Sequence, residues 1–120
     1  MTLEELRYHR WEPISVTLDQ GLVSRYVPGN DAREVPAEVF LNLECQRVID
    51  TLLGCSKQVL LASSSLDIKR AVSFGMTVDI DTRVSALRTL KEQSFVTIEQ
   101  TYSMDDQTIA VLTQVLVLNK

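Results

Sequence analysis

Glu44 is the residue whose position most suggests chemistry. It lies on the flank of an apolar stripe that includes Leu41 and Val48 at the spacing of one helical face. A carboxylate beside an apolar surface either extends its charged end into water or serves a site. A carboxylate that serves a site can activate water or act as a nucleophile. The sequence pattern leaves both interpretations open.

Cysteine and histidine offer few other routes to chemistry. Cys45 and Cys55 are too few for a disulfide framework and lack the spacing of a metal site. Cys45 is predicted to be a small buried hydrophobe, and Cys55, just past the helix, is a candidate thiol of some reactivity. His9 is the only histidine and lies in a polar segment. The sequence therefore argues against a Ser-His-Asp triad and a histidine-based zinc site.

The helix that carries Glu44 is predicted over Val35–Gly54. Pro36 stands near its first turn, where a missing N–H has no cost, and Gly54 stands just past its end. One face is apolar, with Leu41, Cys45, Val48 and Leu52, and the opposite face is polar, with Asn42, Gln46 and Asp50. A single amphipathic helix among strand-like segments is expected to pack on a sheet.

Length and composition restrict the class of protein. The 120 residues predict one domain over residues 1–120, and the 45% apolar and 23% charged content is that of ordinary globular proteins. The net charge of −4 argues against nonspecific nucleic-acid binding. No apolar run approaches the roughly 20 residues that span a bilayer. The N-terminal segment has no apolar signal region, so the cytoplasm is the expected location.

Period-two alternation predicts strands on both sides of the helix. Residues 14–18 and 22–27 precede it, and four strands follow: Gln58–Ile68, Thr77–Leu87, Phe95–Tyr102 and Thr108–Leu118. Short polar connections, including the hairpin loop at residues 104–107, favour a meander of antiparallel strands. The last strand is apolar on both faces, which predicts a place inside the sheet or at a subunit contact.

Three consecutive serines, Ser63 to Ser65, interrupt the first strand after the helix. The alternation predicts that one face of this strand carries Leu60, Ala62, Ser64, Leu66 and Ile68. The serines are interpreted either as small residues where a helix packs closely or as room for a ligand along the strand.

This layout resembles the hot-dog fold, an α+β architecture in which a curved antiparallel β-sheet wraps one long helix. More narrowly, the sequence is similar to the 4-hydroxybenzoyl-CoA thioesterase group. Three features carry the resemblance: the segment RYVPGNDAREV, with Asp31 in a turn before the helix; the helix, with Glu44 in its first half; and the segment LDIKRAVSFGMTVDIDTRV, with its basic connection and Phe-Gly turn. The resemblance covers the chain from about Leu22 onward.

The resemblance implies a thioester hydrolase acting on acyl-CoA or on an acyl-carrier protein. In that group the acid before the helix is catalytic in many members, and Asp31 is the matching position. Other hot-dog thioesterases use a Glu on the helix, and Glu44 is the candidate. The free N–H groups near Ala37 and Glu38 would stabilise the oxyanion, and an apolar slot between helix and sheet would hold the acyl group.

Substrate binding and assembly follow from the same resemblance. Lys69 and Arg70 stand where coenzyme A phosphates often pass in the family, and Ser64 and Ser65 are the candidates along the strand. Neither a metal nor a separate cofactor is expected, since coenzyme A or pantetheine is part of the substrate. Hot-dog sheets pair edge to edge, which implies a homodimer or a homotetramer built from dimers. Neither nucleic acid nor a membrane is an expected partner.

Each candidate also has a purely structural interpretation. Asp31 occupies a position where Asp favours a turn or the start of a helix, and Glu38 suits the helix dipole. Glu44 is then a partly exposed acid, while Lys69 and Arg70 form a solvated strand end.

The sequence also departs from the family pattern. Asp31 is followed by Ala-Arg-Glu-Val, where the family has a Gly, an aromatic pair and an Asn-Tyr. The His-Gly-Gly motif of another thioesterase branch and the Asp-His pairing of hot-dog hydratases are both missing from the sequence. These departures favour an alternative, a non-catalytic hot-dog domain that binds an acyl thioester or serves as an assembly module.

Overall fold

A five-stranded antiparallel β-sheet with helical segments on one face makes up the computed structural model, which describes residues 2–19, 21, 37–43 and 45–119. The helical segments are α1 (Leu3–Leu6), α2 (Ala37–Asn42) and α3 (Cys45–Leu53). The strands are β1 (Ile14–Thr17), β2 (Gln58–Ile68), β3 (Thr77–Leu90), β4 (Gln93–Met104) and β5 (Gln107–Asn119). Among the described residues, no helix is long and apolar enough to cross a membrane.

The strand order is β1-β3-β4-β5-β2. The last strands, β3, β4 and β5, form the predicted meander, and β2 lies outside it, paired with β5. The connection of residues 69–76 reaches up to about 26 Å, enough to pass the roughly 14 Å across three strand spacings. The prediction that the last strand lies inside the sheet is confirmed, because β5 lies between β4 and β2.

The β4–β5 hairpin has the predicted turn at residues 104–107. Asp105 and Asp106 both have positive φ angles, 50° and 63°, and Met104 pairs with Gln107. Two central residues with positive φ are typical of the type I′ turn, whose twist matches that of the strands it joins.

A β-bulge changes the face of β2 partway along the strand. Leu61 pairs with Leu116 and Ser63 with Val115, so one extra residue lies between Leu61 and Ser63. Leu61 and Ser64 therefore both point to the helix side, whereas Leu60 points away from it. The predicted single face is wrong for Leu60, because a strict alternation assumed a regular strand.

The helix side of the sheet carries two separate hydrophobic clusters. The first contains Val39 and Phe40 of α2, packed against residues of β3, β4 and β5 and the connections next to them. The second contains Val48 and Leu52 of α3, with Trp11. The alternation predicted for β3 is confirmed: its residues 78, 80, 82 and 84 are buried and its residues 79 and 83 are exposed.

The predicted helix over Val35–Gly54 is described as two segments. Asn42 ends α2, Leu43 is in a turn, and α3 begins at Cys45, so one uninterrupted helix is wrong. The segments α2 and α3 pack on different clusters, and the end of α2 contacts the sheet. Gly54 follows the last residue of α3, as predicted.

Candidate functional site

The two predicted catalytic carboxylates, Asp31 and Glu44, lie outside the residues that the structure describes, as does the predicted strand at residues 22–27. Ala37 and Glu38, predicted to supply oxyanion donors, begin the described part of α2. The catalytic roles of these residues therefore stay predictions.

Lys69 and Arg70 lie at the end of the sheet where α2 packs. Their backbone N–H groups both donate to the carbonyl of Ile109, at 2.8 and 3.2 Å, and Ile109 belongs to the same cluster as α2. Both side chains are exposed. The Lys69 Nζ lies 3.2 Å from Asp67 Oδ2, and Arg70 Nη1 donates to Gln107 Oε1 at 3.0 Å. The two predicted phosphate ligands therefore lie at the same end of the sheet as α2.

Ser64 and Ser65 point to opposite faces of the sheet. Ser64 pairs with Gln114, and its Oγ accepts a hydrogen bond from Gln114 Nε2 at 3.4 Å on the helix side. Ser65 pairs with Thr113, so its side chain lies on the other face. Only Ser64 faces the space between the helix and the sheet.

A cavity of about 140 Å³ lies between α3 and the strands β2 and β5. Among the described residues, its lining is almost entirely apolar and consists of Cys45, Val48, Ile49, Leu61, Gln114 and Leu116. Cys45 directly follows Glu44 in the sequence. The predicted apolar slot between helix and sheet therefore has a counterpart in the structure, and it begins one residue after a predicted catalytic residue.

Gln114 is the lining residue that sequence analysis missed. It interrupts the most apolar strand of the chain, and a lone amide in such a strand was the available signal. Its neighbours along the sheet could not be inferred, because Ser64 pairs with it from fifty residues away.

Polar side chains form a band across the helix side of the sheet, between the two hydrophobic clusters. We call Thr82, Gln100, Gln114 and Ser64 the polar band. Thr82 pairs with Gln100, Gln100 pairs with the residue two before Gln114, and Gln114 pairs with Ser64. The band runs from fully buried Thr82 to exposed Ser64 on the sheet edge. Buried polar groups need hydrogen-bond partners, and a row of them inside an apolar face can line a site.

Tyr102 ties the end of α2 to the sheet. Its buried hydroxyl donates to the carbonyl oxygen of Phe40 at 2.6 Å, and the two rings meet edge to face with centroids 5.0 Å apart. The same hydroxyl lies 2.8 Å from the side-chain amide of Gln100. A hydroxyl has one proton, so both contacts are hydrogen bonds when Gln100 presents its amide nitrogen to Tyr102.

A larger open groove of about 850 Å³ lies at the other end of the sheet, beside the β3–β4 turn. It is lined by Gln58, Leu90, Lys91, Glu92, Gln93, Phe95 and Asn119. The guanidinium of Arg88 lies 5.5 Å from the centre of the Phe95 ring on this face. By register, Phe95 and Leu90 point away from the helices, so this groove is separate from the candidate site.

In the part of the chain that the structure describes, no three His, Cys, Asp or Glu side chains lie close enough to hold a metal ion.

Comparisons with known proteins place the fold. No family model matches the sequence, and no curated protein matches it. A HadBC (3R-hydroxyacyl-ACP dehydratase) complex from Mycobacterium tuberculosis is 13% identical with a TM-score of 0.74, over 93% of this chain and 96% of that one. A probable thioesterase from Bartonella henselae is 13% identical with a TM-score of 0.60, over 95% and 92%. The protein smu.793 from Streptococcus mutans, bound to acetyl CoA, is 14% identical with a TM-score of 0.62, over 94% and 90%.

At these identities the likeness establishes the fold. The protein has the hot-dog fold, so the predicted α+β class, a curved antiparallel sheet with its helical region on one face, is confirmed. The narrower resemblance to the 4-hydroxybenzoyl-CoA thioesterase group stays a prediction.

Proposed function

We propose that this protein is a thioester hydrolase that acts on an acyl-CoA or an acyl-carrier-protein thioester. The observation that carries the proposal is the apolar cavity that begins at Cys45, next in sequence to Glu44. Small-molecule sites are concave and mostly apolar, with a few polar groups that fix the orientation of the ligand. Two proteins of similar fold support the same chemistry, a probable thioesterase and a protein bound to acetyl CoA.

The proposed mechanism divides the work among three groups. A carboxylate, Asp31 or Glu44, takes a proton from a water that attacks the thioester carbonyl, or attacks that carbonyl itself to give an anhydride that water then hydrolyses. In both routes the C–S bond breaks and the coenzyme A or pantetheine thiol leaves with a proton. Backbone N–H groups near Ala37 and Glu38 stabilise the oxyanion that develops on that carbonyl. The acyl group occupies the cavity beside α3.

Lys69 and Arg70 are the proposed contacts for the phosphates of coenzyme A. Both are exposed at the end of the sheet where α2 packs, so an extended carrier passing there can reach them. A guanidinium forms paired hydrogen bonds with phosphate, whereas the lysine acts as a point charge. Ser64 is proposed to line the path on the helix side, and Ser65 keeps its predicted role only for a group on the opposite face.

We also propose a homodimer, or a homotetramer built from dimers, joined at β2. This strand ends the sheet and is eleven residues long, so its outer backbone groups can pair with a second chain. The cytoplasm stays the predicted location.

The test is turnover on a panel of acyl-CoA thioesters by the wild type, Asp31→Asn and Glu44→Gln. Removal of a general base typically lowers the rate by about 10²- to 10⁴-fold, so we expect a loss of that size in at least one variant. Glu92→Gln, at the β3–β4 turn beside the separate groove, is the matched control and should keep the wild-type rate. Unchanged rates in both carboxylate variants would remove the proposed catalytic roles.

A second candidate function is a non-catalytic domain that binds an acyl thioester or assembles with partner chains. Two observations favour it: the HadBC structure of similar fold is a complex, and the sequence lacks the family residues after Asp31. Tight binding of acyl-CoA without hydrolysis would favour this candidate. Rapid hydrolysis by the purified protein would exclude it.

A further inference from the structure

We infer that Gln114 makes the cavity beside α3 selective for short acyl groups that carry a hydroxyl or keto oxygen. The inference rests on the proposed acyl-thioester function and names its substrate class. It starts from one contrast: among the described lining residues, Gln114 is the one whose side chain ends in an amide, beside Cys45, Val48, Ile49, Leu61 and Leu116.

The amide of Gln114 has hydrogen-bonding capacity to spare. Its Nε2 donates to Ser64 Oγ at 3.4 Å, which is long for an N–H···O hydrogen bond. Among the described residues, the Gln114 side chain makes no other hydrogen bond. A glutamine amide has two N–H donors and an oxygen with two lone pairs, so one weak bond leaves donors and acceptors unused, which rotation of the side chain can turn toward a ligand.

The size of the cavity limits the acyl group. An apolar cavity of about 150 Å³ holds a benzene molecule, which has six heavy atoms. A cavity of about 140 Å³ therefore accepts an acyl group of roughly four to six heavy atoms. A chain of four carbons with one oxygen falls within that range.

The amide of Gln114 favours an acyl chain that carries a hydroxyl or keto oxygen. A plain alkyl chain beside Gln114 offers its amide no hydrogen bond. A hydroxyl or keto oxygen on the chain gains one when the glutamine side chain rotates toward it. Because Gln114 is half-buried and the bond joins neutral groups, we expect a preference of about three- to tenfold rather than strict exclusion.

The experiment compares butyryl-CoA with 3-hydroxybutyryl-CoA, which differ by one hydroxyl. Dissociation constants are measured by isothermal titration calorimetry in an Asp31→Asn, Glu44→Gln background, so that turnover does not consume the ligand. With Gln114 present, 3-hydroxybutyryl-CoA should bind about three- to tenfold more tightly. Gln114→Leu, of similar size but apolar, should abolish or reverse the preference. Gln93→Leu, in the separate groove, is the matched control and should preserve it.

The outcomes separate this inference from the function on which it rests. Equal affinity for butyryl-CoA and 3-hydroxybutyryl-CoA, or a preference that survives Gln114→Leu, overturns the role of Gln114. The proposed acyl-thioester function is then unaffected. If the protein binds neither thioester, the proposed function and the inference are overturned together. A circular dichroism spectrum identical to the wild type identifies a Gln114→Leu sample that is folded, and Gln114→Met provides a second apolar replacement.

Discussion

The two edges of the sheet are built in different ways. At one edge, β1 pairs with the first part of β3, and the N-terminal residues continue the pairing beyond it. The Trp11 N–H donates to the Thr82 carbonyl and the Val84 N–H donates to the His9 carbonyl, both at 2.9 Å. At the other edge β2 is the last strand, and no described segment pairs with its outer side. We call the first edge closed, because β1 and the N-terminal residues cover β3, and the second open, because no described segment covers β2.

Side chains reinforce this contrast. Of the six large hydrophobic residues that are exposed in the described part of the chain, three lie on β2: Leu60, Leu61 and Ile68, at 47%, 57% and 43% exposure. On β1 the exposed positions are Ser15 and Thr17. A long edge strand with exposed apolar side chains favours pairing with another chain, whereas a short polar edge disfavours it. This contrast is the reason for proposing β2, rather than β1, as the edge where a second chain pairs.

The largest effect on the closed edge is expected from Trp11→Ala. Trp11 is 5% exposed, belongs to the second hydrophobic cluster, and donates from Nε1 to Thr51 Oγ1 at 2.9 Å. Removing this side chain should lower the free energy of unfolding by about 3–5 kcal/mol, measured by urea denaturation. Tyr8→Ala, at a residue that is 86% exposed, is the control and should change it by less than about 0.5 kcal/mol. A loss below about 1 kcal/mol for Trp11→Ala would show that the N-terminal segment does not close this edge.

The next largest effect is expected when positive charges are added to the open edge. Leu60→Lys combined with Ser63→Lys places two positive charges on the face of β2 away from the helices, and each partner would bring the same two. Like charges and lysine on an edge strand oppose pairing, so we expect at least a tenfold weaker dimer, about 1.4 kcal/mol, measured by light scattering across a dilution series. The same pair of lysines at Ser15 and Thr17 on β1 should leave the oligomeric state unchanged. An unaltered dimer in the β2 variant, or a monomeric wild type at micromolar concentration, would contradict assembly at this edge.

The features that the sequence predicted correctly are those whose pattern lies among residues close to one another in the chain. Alternation along β3 identified its buried and exposed faces, and the pair Asp105–Asp106 identified the hairpin, because both signals come from neighbouring residues. The bulge in β2 was missed because Leu60 and Leu61 are both apolar, so the alternation does not show where the strand changes face.

Long-range contacts explain the remaining differences. The break in the predicted helix is beside the carbonyl of Phe40, whose partner Tyr102 lies 62 residues away, and no pattern within the helix indicates that contact. The position of β2 beside β5 likewise depends on pairing between distant segments. The apolar slot was predicted from the amphipathic helix, but the amide of Gln114 in its wall became evident only once the strands were placed.

The smallest effect is expected from the ion pair on the closed edge. Arg10 forms two hydrogen bonds with Asp81, from Nε to Oδ1 and from Nη2 to Oδ2, each 2.8 Å long, and the hydrogen bond and charge of Asp81 raise the pKa of Arg10. The Arg10 guanidinium is exposed and Asp81 only partly covered, so water and salt screen the attraction, and ordering two side chains opposes it. Arg10→Gln and Asp81→Asn should therefore leave the midpoint of urea unfolding unchanged within error. If either variant instead unfolds as readily as Trp11→Ala, the closed edge depends on this ion pair rather than on backbone pairing and the buried indole, and the contrast between the two edges is one of charge.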